Sequence, residues 1–124
     1  MKVAVTSKGK TLDAEVEPRF SRSPFFVIVN TETGDFKALE NPGASAKDAA
    51  SVKAVKFLID KGAKAIVTGN VGHNAFVMIQ DTPLRVYLCG GGTVGEAVAD
   101  FEKRKLVRAK GPSVGFKQGL KKIG

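Results

Sequence analysis

The chain has 124 residues, 43% of them hydrophobic, with one cysteine, one histidine and a formal charge of +8. That is the length of one domain with enough apolar material for a core. No apolar run reaches the roughly 20 residues of a membrane helix, and Lys2 leads into a strand pattern rather than a signal peptide; a lone cysteine forms no internal disulfide, so the expected setting is the reducing cytoplasm.

The charge is unevenly placed. All twelve acidic residues lie at or before Glu102, and residues 1–102 hold twelve Lys and Arg, so that body is neutral. The excess lies in residues 103–124, which carry eight basic residues and no acid. A generally basic face for nucleic acid is therefore not expected, and neither nucleic acid nor a membrane is an expected partner.

In chain order, Met1–Thr6 alternates around Val3 and Val5 and predicts a central first strand. Ser7–Glu17 is a polar loop, and Pro18–Pro24, bounded by prolines, is unsuited to helix. Phe25–Val29 and Phe36–Glu40 flank a turn at Gly34 and predict a hairpin. Asn41-Pro-Gly43 breaks the pattern. From about Ala46 to Lys61 a helix is expected, with Val52, Val55, Leu58 and Ile59 on one face and Gly62 as its stop.

Two strand–glycine turn–helix units follow. Ala65–Val67 runs into Gly69-Asn70-Val71-Gly72-His73, then an amphipathic helix from Asn74 that ends at Asp81-Thr82-Pro83. Leu84–Leu88 runs into Cys89-Gly90-Gly91-Gly92-Thr93, then a helix from Val94 to Lys103. Thr93 and Glu96 form the spacing of a capping box. The plan is an α/β domain over residues 1–105: a mixed five-stranded sheet of three antiparallel strands and two parallel crossovers, with helices on both faces. Residues 106–124 form a basic, mobile tail, with Phe116–Ile123 either a short helical turn or unordered.

This plan brings the carboxyl ends of strands one, four and five to one crevice. Ser7, the Gly69–His73 turn and the Cys89–Thr93 turn meet there, and His73 and Cys89 become neighbours. Free amides at the glycine turns favour an anion. A helix start favours neutral imidazole at His73 and a lowered pKa at Cys89, making both candidate metal ligands. Arg19 and Arg22 offer charge for an anion or pairs for Glu15 and Glu17. The chain contains neither a phosphate-loop signature nor the H-E-x-x-H and G-x-S-x-G patterns of hydrolases, so an enzyme is not expected.

Val3-Ala-Val5, Arg19-Phe-Ser-Arg22, Pro24-Phe-Phe-Val-Ile-Val29, Glu40-Asn-Pro-Gly43, Thr68-Gly-Asn-Val-Gly-His-Asn-Ala75 and Gly90-Gly-Gly-Thr-Val-Gly-Glu-Ala97 occur in that order. Over about residues 1–103 this resembles the dinitrogenase iron–molybdenum cofactor biosynthesis family, the domain shared by NifX, NafY and the C-terminal part of NifB. The resemblance implies a ribonuclease H-like fold and a carrier of an iron–sulfur or iron–molybdenum cofactor or its precursor, handed between cofactor-assembly or acceptor proteins. Relatives often have His-Phe-Gly at Arg19-Phe20-Ser21, and a proline at His73, so a histidine is lost at one loop and gained at another. The expected site is then Cys89 and His73 on metal, with Gly69, Asn70, Gly72, Gly90, Gly91, Gly92, Thr93 and Ser7 around the cluster and Arg19 or Arg22 offsetting its charge. The alternative is a regulatory or interaction module, with a small anion in the crevice and the basic tail on an acidic partner or nucleic acid.

Overall fold

The computed structural model describes residues 1–113; the Phe116–Ile123 segment lies outside them. The elements are β1 (Lys2–Ser7), β2 (Phe25–Asn30), β3 (Phe36–Glu40), α1 (Ala50–Asp60), β4 (Ala63–Thr68), α2 (His73–Gln80), β5 (Arg85–Leu88), α3 (Val94–Glu102) and β6 (Val107–Arg108). The sheet has six strands in the order β3-β2-β1-β4-β5-β6. β1 is central, antiparallel to β2 and parallel to β4, which is parallel to β5. The expected five strands were one short. β6 pairs antiparallel with β5 at the sheet edge. It is two residues long and its Val107 is 71% exposed, so no apolar alternation announces it.

Strand alternation sends successive side chains to opposite faces. Ala4, Ile28, Ile66 and Val86 pack with Ala54, Val55 and Leu58 of α1 and with Ala75 and Ile79 of α2. Val3, Val5, Val27, Ala65 and Val67 pack with Val94, Ala97 and Val98 of α3. Two helices thus cover one face and one covers the other, where the segment between β1 and β2 adds Leu12, Ala14 and Val16. Among the described residues no helix is long and apolar enough to cross a membrane.

The first helix starts four residues later than expected, at Ala50 rather than Ala46. A helix from Ala46 would require the Ala46 carbonyl to accept from the Ala50 amide. Arg22 donates to it instead, from Nη1 at 2.7 Å, and also approaches the carbonyls of Ala44 and Gly43 in the preceding turn at 3.3 and 3.4 Å. Asn41 fixes the same turn, donating from Nδ2 to the carbonyls of Ser21 and Ser23 at 2.9 Å each and accepting from the Gly43 amide at 2.8 Å. Past residue 105, Ala109 donates to the Val86 carbonyl at 2.8 Å and is buried with the α1–α2 layer. The chain therefore stays on the body through Ser113.

Phe26 is fully buried, with its ring centroid 5.7 Å from Phe20 and 6.3 Å from Phe57. Phe26→Ala should lower unfolding free energy in urea by about 3–5 kcal/mol, through lost transfer energy and a cavity beneath α1.

A candidate binding site at the carboxyl edge

The segment between β1 and β2 is an arm laid across the carboxyl ends of the parallel strands. Its polar sequence works through main-chain groups. Thr6 donates from Oγ1 to the Glu17 carbonyl at 2.7 Å and lies 2.9 Å from Thr68 Oγ1, and all three residues are buried. The Asn70 amide donates to the Pro18 carbonyl at 2.8 Å. Gly69 is required by that approach, because a Cβ there would lie 2.8 Å from Pro18 Cα. Arg19 pairs with Asn70 in a single parallel bridge, and its Nε lies 3.2 Å from Glu17 Oε2. The arm thus brings the Arg19–Arg22 loop beside the Gly69–His73 loop.

On the α3 side the arm covers the helix start. Val94 and Gly95 donate their amides to the carbonyls of Ala14 and Leu12 at 2.9 and 2.8 Å. The capping box is formed as its spacing implies: Glu96 N–H to Thr93 Oγ1 at 3.1 Å, Thr93 N–H to Glu96 Oε1 at 2.9 Å. The Thr93 amide, expected to face a ligand, is therefore taken, and the α3 dipole end already faces peptide oxygens. Gly91 and Gly92, at φ 124° and 90°, are glycines by conformational need.

Cys89 belongs to that side, half-buried against the α3 layer near Tyr87 and Phe101. The expected lowering of its pKa is overturned. Burial pushes the thiol above its usual value, the amide of Gly91 pulls the other way, and the nearby Asp100 carboxylate raises it further. The helix-dipole argument failed because the first α3 amides are already satisfied and the sulfur is partly withdrawn from water.

The other side of the edge is open. α1 and α2 begin side by side without a side-chain cap, at Ala49 and Gly72. The first helical bonds are Lys53 N–H to Ala49 O and Phe76 N–H to Gly72 O, both 3.0 Å. The amides of Ala50, Ser51 and Val52, and of His73, Asn74 and Ala75, have no protein acceptor among the described residues. Between the two starts lies a groove of about 520 Å³, lined by Ser21, Arg22, Ala49–Val52, His73, Asn74, Val77 and Met78. Ser21 and Ser51 hydroxyls meet across it at 2.9 Å.

The Gly69–His73 and Cys89–Thr93 loops do share an edge, joined by the Cys89 amide on the Thr68 carbonyl at 3.0 Å. Their side chains do not share a pocket: Cys89 faces the α3 layer, while exposed His73, the first residue of α2, lines the α1–α2 groove. Ser7 is fully buried and closes a local turn, accepting from the Gly9 amide and donating to its carbonyl. Gly72 and Gly90 have open space where a Cβ would go. Among the described residues no three His, Cys, Asp or Glu side chains group as a metal site. The groove residues Ser21, Ser51 and Asn74 were missed in the sequence. The uncapped start at Ala49-Ala50 was the available signal, since neither residue can cap a helix.

Two expectations follow. Gly69→Ala should destabilise the fold by about 1–3 kcal/mol in urea, whereas Gly72→Ala, at φ −73° with free space, should be tolerated. Cys89 should react with iodoacetamide more slowly than a free thiol at pH 8, and Asp100→Asn should shift the rate profile to lower pH. A folded-state thiol pKa above the unfolded one also makes stability fall as pH climbs past the ordinary thiol range, and Cys89→Ala should remove that component.

Comparison with known proteins matches this geometry. The apo form of the orange protein from Desulfovibrio gigas superposes with a TM-score of 0.87 at 32% identity, over 91% of this chain and 96% of that one. A NifB-type protein from Thermotoga gives 0.80 at 35% identity, over 91% and 97%. An uncharacterized protein of Methanocaldococcus jannaschii is 25% identical over 109 residues, 86% of this chain and 89% of that one. The model of the dinitrogenase iron-molybdenum cofactor family matches residues 1–104, nearly all of the described fold, and the chain belongs to that family.

Proposed function

We propose that this protein is a non-enzymatic carrier that binds an iron–molybdenum or iron–sulfur type cofactor, or its precursor, as cargo in the α1–α2 groove. The carrying observation is the convergence of two uncapped helix starts on a groove also lined by Arg22 and His73. Each start favours an anion by about 0.3–1 kcal/mol, and up to about 2 kcal/mol where partly buried. Amides without protein acceptors can donate to the sulfides of a metal–sulfur cluster, and His73 can supply one imidazole nitrogen. The family description names such a cofactor, and the Thermotoga relative is named for NifB.

The donor set suits cargo better than a resident cluster. A stably held iron–sulfur cluster takes about four protein ligands, and one imidazole with hydrogen-bond donors permits release. In this reading the ribonuclease H-like plan serves as a frame for the carboxyl edge, and Arg19, beside Asn70, adds charge at the rim. The lone cysteine is consistent with work in the reducing cytoplasm, where cofactor-assembly and acceptor proteins would be the partners.

The test is anaerobic incubation with isolated iron–molybdenum cofactor, followed by desalting, absorbance and EPR. The parent chain should retain cofactor, and His73→Ala should weaken retention about tenfold, the scale of one charge-assisted contact. A parent chain that retains none overturns the reading. A loss confined to Cys89→Ala moves the cargo to the β5–α3 loop.

A further inference from the structure

The sheet ends differently at its two edges. β6, at one, is two residues long. β3, at the other, has five residues in unbroken register with β2, no proline, and no further strand beside it among the described residues. The Asn30 amide donates to the Asp35 carbonyl at 2.9 Å, and the Asn41 amide to the Pro24 carbonyl at 3.1 Å. Antiparallel alternation then turns the main-chain groups of Lys37 and Leu39 toward β2, and those of Phe36, Ala38 and Glu40 outward. Three amides and three carbonyls thus stand in a row without a protein partner among the described residues. Beside them, on the face that carries α1, lies a pocket of about 270 Å³. Ile28 and Leu39 give it an apolar lining, and exposed Lys2, Lys37 and Lys61 stand around it. None of these lysines is ion-paired among the described residues, and the one acid on the lining, Asp35, leaves the pocket positive.

We propose that β3 takes a seventh strand from another protein, an extended segment whose acidic side chains alternate with apolar ones and face Lys37. The outward amides and carbonyls supply the ladder for such a strand. Side chains of an added strand also alternate between faces. On the α1 face an acid opposite Lys37 comes within cross-strand reach of it. Lys2 and Lys61 add to the attraction over about 10 Å, the Debye length at 0.1 M salt. On the other face an apolar side chain meets Ala38 and Phe36, which is 42% exposed. A second copy of β3 fits poorly, because pairing would bring two such lysine groups to one edge. Lys2 opens β1 and Lys61 follows α1, so this surface lies about 15 Å along α1 from the groove. The groove stays free when the edge is paired, and the proposal does not rest on the groove's cargo.

The experiment records amide NMR spectra and hydrogen exchange of the full chain with the synthetic peptide acetyl-Thr-Glu-Val-Glu-Val-Glu-Thr-amide at millimolar concentration. Strand addition predicts shifts and slowed exchange at the Phe36, Ala38 and Glu40 amides, with binding that weakens as salt is raised. Lys37→Glu, an exposed substitution, should weaken binding about tenfold, the scale of turning an opposite-charge pair into a like-charge one, and Lys37→Arg should retain it. Absence of any change at the three amides would overturn the proposal. So would equal binding by the same peptide N-methylated at each Glu and Val, which keeps the charge and loses the main-chain donors. Slow exchange at these amides in the free chain would overturn it as well, since the edge would already be covered; protection that grew with protein concentration would give it to a second copy.

Discussion

The carboxyl edge of the sheet is asymmetric because one stretch of main chain lies across only half of it. Helix starts leave amides unmatched, and something must accept from them. At α3 the acceptors are the carbonyls of Leu12 and Ala14 together with the Thr93–Glu96 box. At α1 and α2 the chain supplies none among the described residues. Three helices of similar length on one sheet thus end in two electrostatic situations. One dipole end faces fixed peptide oxygens, and two face a groove with an arginine and a histidine on its wall.

The arm holds this asymmetry because it is expensive to displace. Lifting it would take the acceptors from the Val94 and Gly95 amides and the Glu17 carbonyl from the buried Thr6 hydroxyl. Each buried polar group left unpaired costs about 1–3 kcal/mol, so the sum is comparable to much of a small domain's stability. The close approach of Gly69 to Pro18 adds shape to the constraint. Beyond Pro18 the arm becomes the Arg19–Arg22 loop, whose Arg22 side chain holds the turn leading into α1. The wall of the groove and the start of α1 are therefore set by the same residue. A groove fixed in this way spends little ordering entropy when something binds.

Much of this was legible in the sequence where side chains carry the signal. Strand alternation around Val3 and Val5, the hairpin across Gly34, and the Thr93–Glu96 box all stood in the residues themselves. The failures lie where main-chain groups or distant partners decide. The arm reads as a featureless polar loop because its carbonyls do the work. The late start of α1 depends on an arginine more than twenty residues upstream. β6 is held by pairing with β5 and displays an exposed valine. The parity of β5 could have been read in advance. Val86 and Leu88 face the α1–α2 layer, so Tyr87 and Cys89 must face α3, opposite the groove that takes His73.

That parity bears on how a carrier would let go. Bonds from thiolate to iron break slowly unless another ligand replaces them, whereas amide hydrogen bonds exchange readily with water. The chain's one thiol points away from the groove, and burial together with Asp100 keeps it in the neutral form at physiological pH. In the carrier reading, a thiol turned toward the α3 layer is not among the donors that line the groove. The donors that do face the groove are main-chain amides, one guanidinium and one imidazole, each of which water or an acceptor protein can replace singly. Affinity would then be a sum of small reversible terms, and release would need no bond to sulfur to be broken.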